Sequence, residues 1–148
     1  YLISDSHRKA CFSACYDCLM SFYNMRYHGL LDWRLGLSYL KIINDVGYRC
    51  GLDGNFSAPE ITEWPLISKE FAISFGKSFN YEINYRDVIP IVSNKNIDAY
   101  IIHPLWNFAK PSGILKESLE NNGGGRKKVF IDTFNLIRRP SWCRRIMR

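Results

Sequence analysis

The stretch CFSACYDCL, residues 11–19, sets three cysteines at C-x3-C-x2-C spacing near the start of the chain. Zinc takes four ligands in a tetrahedron, and sulfurs two to four residues apart on one tight turn can share the ion. Three thiolates are one short of a closed site. The fourth ligand can come from His7, His28 or Cys50, or from residues upstream of Tyr1. His7 is nearest in sequence, and His28 sits at the end of the following segment. A redox reading of Cys15-Tyr-Asp-Cys18 asks for a strand before the motif and a helix starting at its first cysteine. The preceding SDSHRKA is no strand, so structural zinc (Zn2+) is favoured over a redox pair or buried free thiols.

At 148 residues the chain fits one ordinary domain or two small units sharing an interface. Its 47% apolar and 15% aromatic content suits a packed core and not disorder. No run approaches the roughly 20 apolar residues that cross a bilayer, so no membrane partner is expected. The first residues lack the basic-then-apolar order of a signal peptide. Five cysteines, an odd number, then read as metal or redox chemistry in a cytoplasmic setting, not as a disulfide framework. A start at Tyr1 is also what a piece of a longer polypeptide would show.

Charge is unevenly placed. Residues 126–148 carry eight Arg/Lys against one acid, Asp132, a net of +7. Residues 1–125 carry twelve basic and thirteen acidic residues, a net of −1. The whole excess of +6 belongs to the tail. Arg126, Lys127, Lys128, Arg138, Arg139, Arg144 and Arg145 are accordingly the expected nucleic-acid contacts, since such a polycation suits phosphate. A solvated face is the plain alternative.

Along the chain, LMSFYNMRYHG reads as a short helix stopped by Gly29. LLDWRLGLSYLKIINDVG follows with two apolar stripes, Leu31/Leu35/Tyr39/Ile42/Val46 and Trp33/Leu37/Leu40, which predict a largely buried helix. Gly36 there would permit close approach by a neighbour, and Asp32 favours the first turn. Residues 48–65 hold three possible turns and mark a linker (51–65) between a helical zinc-knuckle unit (1–50) and an α+β unit with a basic tail (66–148). In that second unit 66–79 reads as an amphipathic helix. YEINY, VIPIVS, DAYIIHP and KKVFIDTF read as strands, with Asn94-Lys95-Asn96 a hairpin turn, Pro90 a mark of an edge or bulge, and 114–122 a helix. The tail turns at Pro140 into a basic helical end. The fold class is therefore α+β.

Several chemistries fail on spacing. A restriction-type nuclease site needs an acid followed two positions later by lysine, and none of the 14 acids has one. Asp98 and Asp132 lie on predicted strands without that companion. His103 would need Lys at 105 for a phosphodiesterase motif and finds Leu105, so a histidine packed at a strand end is favoured. Asp132 or Thr133 reads equally well as a helix N-cap. GGGRKK lacks the spacing of a phosphate-binding loop. Phe22, Tyr23, Tyr27 and Trp33 can be stacking aromatics or core.

Taken together, C-x3-C-x2-C-L-x-S-[FY]-x-N-x3-H-x2-L-D, here CFSACYDCLMSFYNMRYHGLLD, resembles the C-terminal cysteine-rich domain of large bacterial DEAD/DEAH-box helicases and their partners. These include MrfA-like DNA-repair helicases and DrmB-type phage-defence proteins. The similarity is densest over residues 11–40, with GLDGNF, HPLW and DTFNLIRRPSW weaker echoes. It implies a zinc-binding accessory module behind a superfamily-two motor. Cys11, Cys15 and Cys18 fall on three of that family's four ligand positions, and the fourth falls on Lys9. The motor motifs are absent from these residues, so ATP would be used only by a helicase motor domain elsewhere. The expectation is a non-catalytic module that supports the motor and contacts DNA. The rivals are an interaction module docking a helicase or defence-system partner through Trp33, Trp64 or Trp106, and a degenerate restriction-type nuclease domain.

Overall fold

A computed structural model describes residues 1–85 and 88–148. The first 44 residues build three short helical elements and no strand. Ser4 caps α1 (Asp5–Ala10), its hydroxyl accepting from the His7 amide. The segment Phe22–Leu30 is a 3-10 helix with a kink at Asn24, in place of the expected α-helix. Asp32 N-caps α2 (Trp33–Asn44), its carboxylate accepting from the amides of Arg34 and Leu35. Each cap satisfies first-turn amides that have no partner within the helix.

The expectation of a largely buried α2 fails. Only Trp33 and Ser38 are buried on it, while Tyr39, Leu40 and Ile43 are exposed and Val46 beyond its end is 91% exposed. Two apolar stripes mark two faces able to be covered, but among the described residues no element covers the outer one. Gly36 likewise meets nothing: a Cβ built there has no neighbour within 4 Å.

The second half is a sheet with helices on both faces. α3 (Trp64–Phe79), with Pro65 in its first turn, ends at Asn80 in the left-handed region. Gly76 on α3 lets the sheet approach, since a Cβ there would stand 2.6 Å from the Ile83 side chain. β1 (Glu82–Asn84), β2 (Ile91–Ser93) and β3 (Ile97–Ile102) follow as antiparallel neighbours. α4 (Gly113–Asn121) crosses over to β4 (Lys127–Asp132), which pairs parallel to β3. The order is β1-β2-β3-β4. α5 (Thr133–Arg138) and α6 (Pro140–Ile146) close the chain. Helices plus a mixed sheet make this an α+β fold, as the change of period along the sequence predicts.

All six residues of β3 are buried, so alternation sends side chains into two cores. Ile97, Ala99 and Ile101 join Ala72, Phe75, Ile131, Leu136 and Cys143 on the side of α3, α5 and α6. Tyr100 and Ile102 join Trp64, Ile91, Trp106 and Leu115 on the α4 side. The turn between β2 and β3 falls where the sequence puts it, with Asn94 Oδ1 accepting from the amides of Asn96 and Ile97. Pro90 corrects the edge-strand reading: β2 is an inner strand, and Pro90 stands at its entrance, its carbonyl accepting from the Ile101 amide. The VFI run predicts burial for β4, but it is an edge strand and only Ile131 on it is buried. Among the described residues no helix is long and apolar enough to cross a membrane.

Candidate metal centre

His7, Cys11, Cys15 and Cys18 converge, and their ligand atoms all lie within 4.8 Å of one another. Cys15 and Cys18 Sγ are 3.6 Å apart, and Cys11 and Cys18 Sγ are 3.9 Å apart. His7 Nε2 lies 3.6 Å from Cys15 Sγ. Around a tetrahedral zinc, with sulfurs at about 2.3 Å and nitrogen at about 2.0–2.1 Å, ligand atoms stand roughly 3.5–3.8 Å apart. The donors on this chain fit that ion.

The local backbone explains the convergence. α1 carries His7 and Cys11 one turn apart on one face. The 15–20 turn closes with the amides of Cys18, Leu19 and Met20 on the Cys15 carbonyl, and the Cys15 amide donates to Cys18 Sγ. His7 Nδ1 donates to the Leu2 carbonyl at 3.0 Å. That bond fixes the tautomer and leaves the Nε2 lone pair aimed at the sulfurs, as outer partners of metal-bound histidines do. Trp33 braces the site from α2: its indole N–H donates to the Cys11 carbonyl, its amide donates to Ser13, and its ring meets His7 edge-on at 5.5 Å.

The electrostatics ask for a cation. Burial pushes the Cys11 thiol up to about 12, with the contacts to Cys15 and Cys18 adding to the rise. At Cys15 desolvation acts upward too, but hydrogen bonds with Cys18 and His7 outweigh it and hold the thiol below its usual range. Ionising Cys11 beside neighbouring sulfurs is opposed by like-charge repulsion as well as by burial. A divalent ion removes that obstacle, because a coordinating thiol deprotonates outright.

Spacing left His7, His28 and Cys50 open, and the structure separates them. His28 Nε2 donates to the Ser21 carbonyl at 3.0 Å and to Asn24 Oδ1 at 2.9 Å. Asn24 in turn accepts from the Ser21 amide and donates to the Leu19 carbonyl. Asn24, His28 and Asp32, the polar positions of the motif, therefore form its scaffold: two tie the loop after Cys18, and the third caps α2. Cys50 sits in the other half, its Sγ 3.5 Å from His103 Nδ1. Burial raises the Cys50 thiol to about 11 and lowers His103 to about 4, so the pair is neutral near pH 7. His103 is packed at the strand end between Trp64 and Trp106. His7 had a usable signal in the sequence: a histidine four residues before the first cysteine on a Ser-capped turn.

The tail cations are not one patch. Arg126 pairs with Asp98 at 3.3 Å and with Glu82 at 3.6 Å. Lys128 Nζ donates to the Leu119 carbonyl. Arg138 is drawn across the molecule, donating to the carbonyls of Gly29 and Leu31 and pairing with Asp32. Lys127, Arg139, Arg144 and Arg145 are exposed. α6 runs back along the sheet, so that the Asn94 amide group donates to the Met147 carbonyl while the Lys127 amide donates to Asn96.

The nuclease acids are apart. Asp98 pairs in register with Lys128 and Ile102 with Asp132, so four residues, about 13 Å of backbone, separate the two acids along the strands. Asp132 caps α5, accepting from the Asn135 amide, and Thr133 accepts from the Trp64 indole. Asp98 lies in a polar cleft of about 410 Å³ with Ser93, Asn122 and Arg126. Trp33, Trp64 and Trp106 are all buried, so the docking role given them fails: their indoles serve the fold. Compared with known family models, characterised proteins and solved structures, the chain matches none.

Proposed function

We propose that this chain is a zinc-stabilised, non-catalytic accessory module of a DEAD/DEAH-type DNA helicase in repair or phage defence. The observation that carries the reading is the four-donor set His7/Cys11/Cys15/Cys18 on the same segment whose motif resembles that family. Four protein ligands leave no open position on the metal, which makes the ion a structural one. His7 and the three thiolates would hold it, and its contribution is to fix α1, the 11–20 loop and Trp33 as one unit. That unit braces the motor, and exposed cations from the tail contact DNA phosphates.

The test is metal content and activity of the purified chain. One zinc per chain is expected, lost in His7→Ala and kept in His28→Gln and Cys50→Ser. No ATP hydrolysis is expected from the chain by itself. DNA affinity should fall steeply with salt, with a slope that flattens in an Arg139/Arg144 double variant. Zinc-free folded protein, or the same affinity at all salt concentrations, would sink the reading.

One observation favours a second reading. Tyr39, Leu40 and Ile43 leave an aliphatic-rich face of α2 open, the kind of surface a partner protein covers. Salt-insensitive capture of a helicase motor domain, with no binding to DNA, would select an interaction module.

A further inference from the structure

We propose that the 3-10 segment Phe22–Leu30, with Tyr16 beside it and Arg26 among its rings, is a landing platform for single-stranded nucleic acid. The proposal rests on the DNA-contacting reading above and names the form of nucleic acid that this surface takes.

The segment spends none of its rings on the core. Tyr16 is 67% exposed, Phe22 76%, Tyr23 94% and Tyr27 52%. Scattered exposed apolar residues need no explanation, but several flat rings on one short segment do. Phe22 and Tyr23 meet edge-on at 84°, as do Tyr16 and His28 at 86°. An edge-on contact leaves at least one face of each ring uncovered, and an uncovered face is what an unpaired base stacks on.

The backbone beneath is held in place before any ligand arrives. Asn24 and His28 tie it to Leu19 and Ser21, directly after the metal knuckle. Rings presented from a fixed backbone cost less order on binding. A cation stands where phosphates would follow: the exposed Arg26 guanidinium lies 5.9 Å from the Tyr27 ring centre. Arg138 adds to the hold on the backbone by donating to the Gly29 and Leu31 carbonyls. Of the acids nearby, Asp32 is taken up by Arg138 and by capping α2, and Asp17 is exposed in the knuckle loop. Several aromatic faces beside a guanidinium group suit bases joined by phosphates; the outer face of α2, with Tyr39, Leu40 and Ile43, offers one ring among aliphatic side chains. Duplex DNA hides its base faces, so the platform should discriminate against it.

The experiment uses the full chain loaded with zinc and reads fluorescence anisotropy with labelled 12-mers of oligodeoxythymidine, oligouridine and a DNA duplex. Single strands should bind at least tenfold more tightly than the duplex, and the two single-stranded probes tell which sugar is preferred. Phe22→Ala and Tyr23→Ala should each lower single-strand affinity by roughly 5- to 100-fold, the range for one stacked base, and leave duplex affinity unchanged. Arg26→Gln should reduce the single-strand salt slope by about 0.7. Ile43→Ser on α2 should change nothing. Zinc content and circular dichroism identical to wild type confirm that the ring variants are folded. Wild-type single-strand affinity in both ring variants overturns the platform, as does a duplex bound as tightly as the single strands, and either leaves the DNA-contacting reading standing. No binding to any of the three overturns both.

Discussion

The two halves of this molecule are held together by different physics. Among the described residues of 1–44, the buried side chains are His7, Cys11, Trp33 and Ser38, too few to offset the entropy of ordering that stretch. The sheet unit buries both faces of β3 and needs no such help. One half substitutes a four-donor centre for a core, and the other has a core with an ordinary hydrophobic pattern. The lesson is that apolar content alone does not locate a core: α2 is as apolar as α3 in sequence, but only α3 has a sheet to cover.

The sharpest break between the halves should come from the metal. Structural zinc contributes apparent free energies of about 10–16 kcal/mol in small zinc-binding peptides. Chelation, or Cys15→Ser, should therefore unfold residues 1–31 and leave the sheet, which regional hydrogen exchange would show as lost protection in the first half only. Metal should also be released as pH falls, since the thiolates and His7 must shed protons to bind. Protection lost uniformly across the chain would erase the distinction.

The reciprocal substitution is Ile101→Ala, a fully buried position on β3. A cost of about 2–5 kcal/mol is expected in chemical denaturation, with zinc still bound at one per chain.

A pH effect belongs to the sheet half. His103 is buried with its pKa lowered to about 4 from an ordinary value of 6.5. Between those values the unfolded chain holds a proton that the folded one refuses, so stability rises with pH. The contribution is fully present above 6.5 and is lost as pH falls toward 4, roughly 1.4 kcal/mol per unit. His103→Gln should flatten denaturation midpoints across that window; an unchanged slope would assign the loss to other groups.

The smallest effect probes the seam. Asp32→Ala removes the α2 cap and the partner of Arg138 at once. About 1 kcal/mol is expected from the cap, with Arg138→Gln giving part of the same loss and the double variant less than the sum.

Much of this was legible in local residues because local chemistry decides it. The C-x3-C-x2-C spacing lets one turn carry two donors and brings a third from the end of the helix before it. Asn94-Lys95-Asn96 makes its turn with its own side chain, and the 97–102 run is apolar enough for a strand buried on both faces. The readings that failed concern what lies opposite. Two stripes on α2 say that two faces can be buried, not that a neighbour exists. Pro90 marks an interruption, but its place at the entrance of an inner strand depends on β1 being added outside it. The tail cations form one block in sequence and disperse along β4, α5 and α6.

What the sequence by itself determined is the α+β class, the thiol cluster and the caps and turns, since each rests on groups within a few residues of one another. Tertiary structure settled the choice among His7, His28 and Cys50 as the group facing the sulfurs, and it alone decided that Arg138 is anchored to carbonyls over 100 residues away and that the rings of 22–27 face water. A side chain's spacing limits which partners it can reach, but only the folded chain's long-range contacts settle which one it meets.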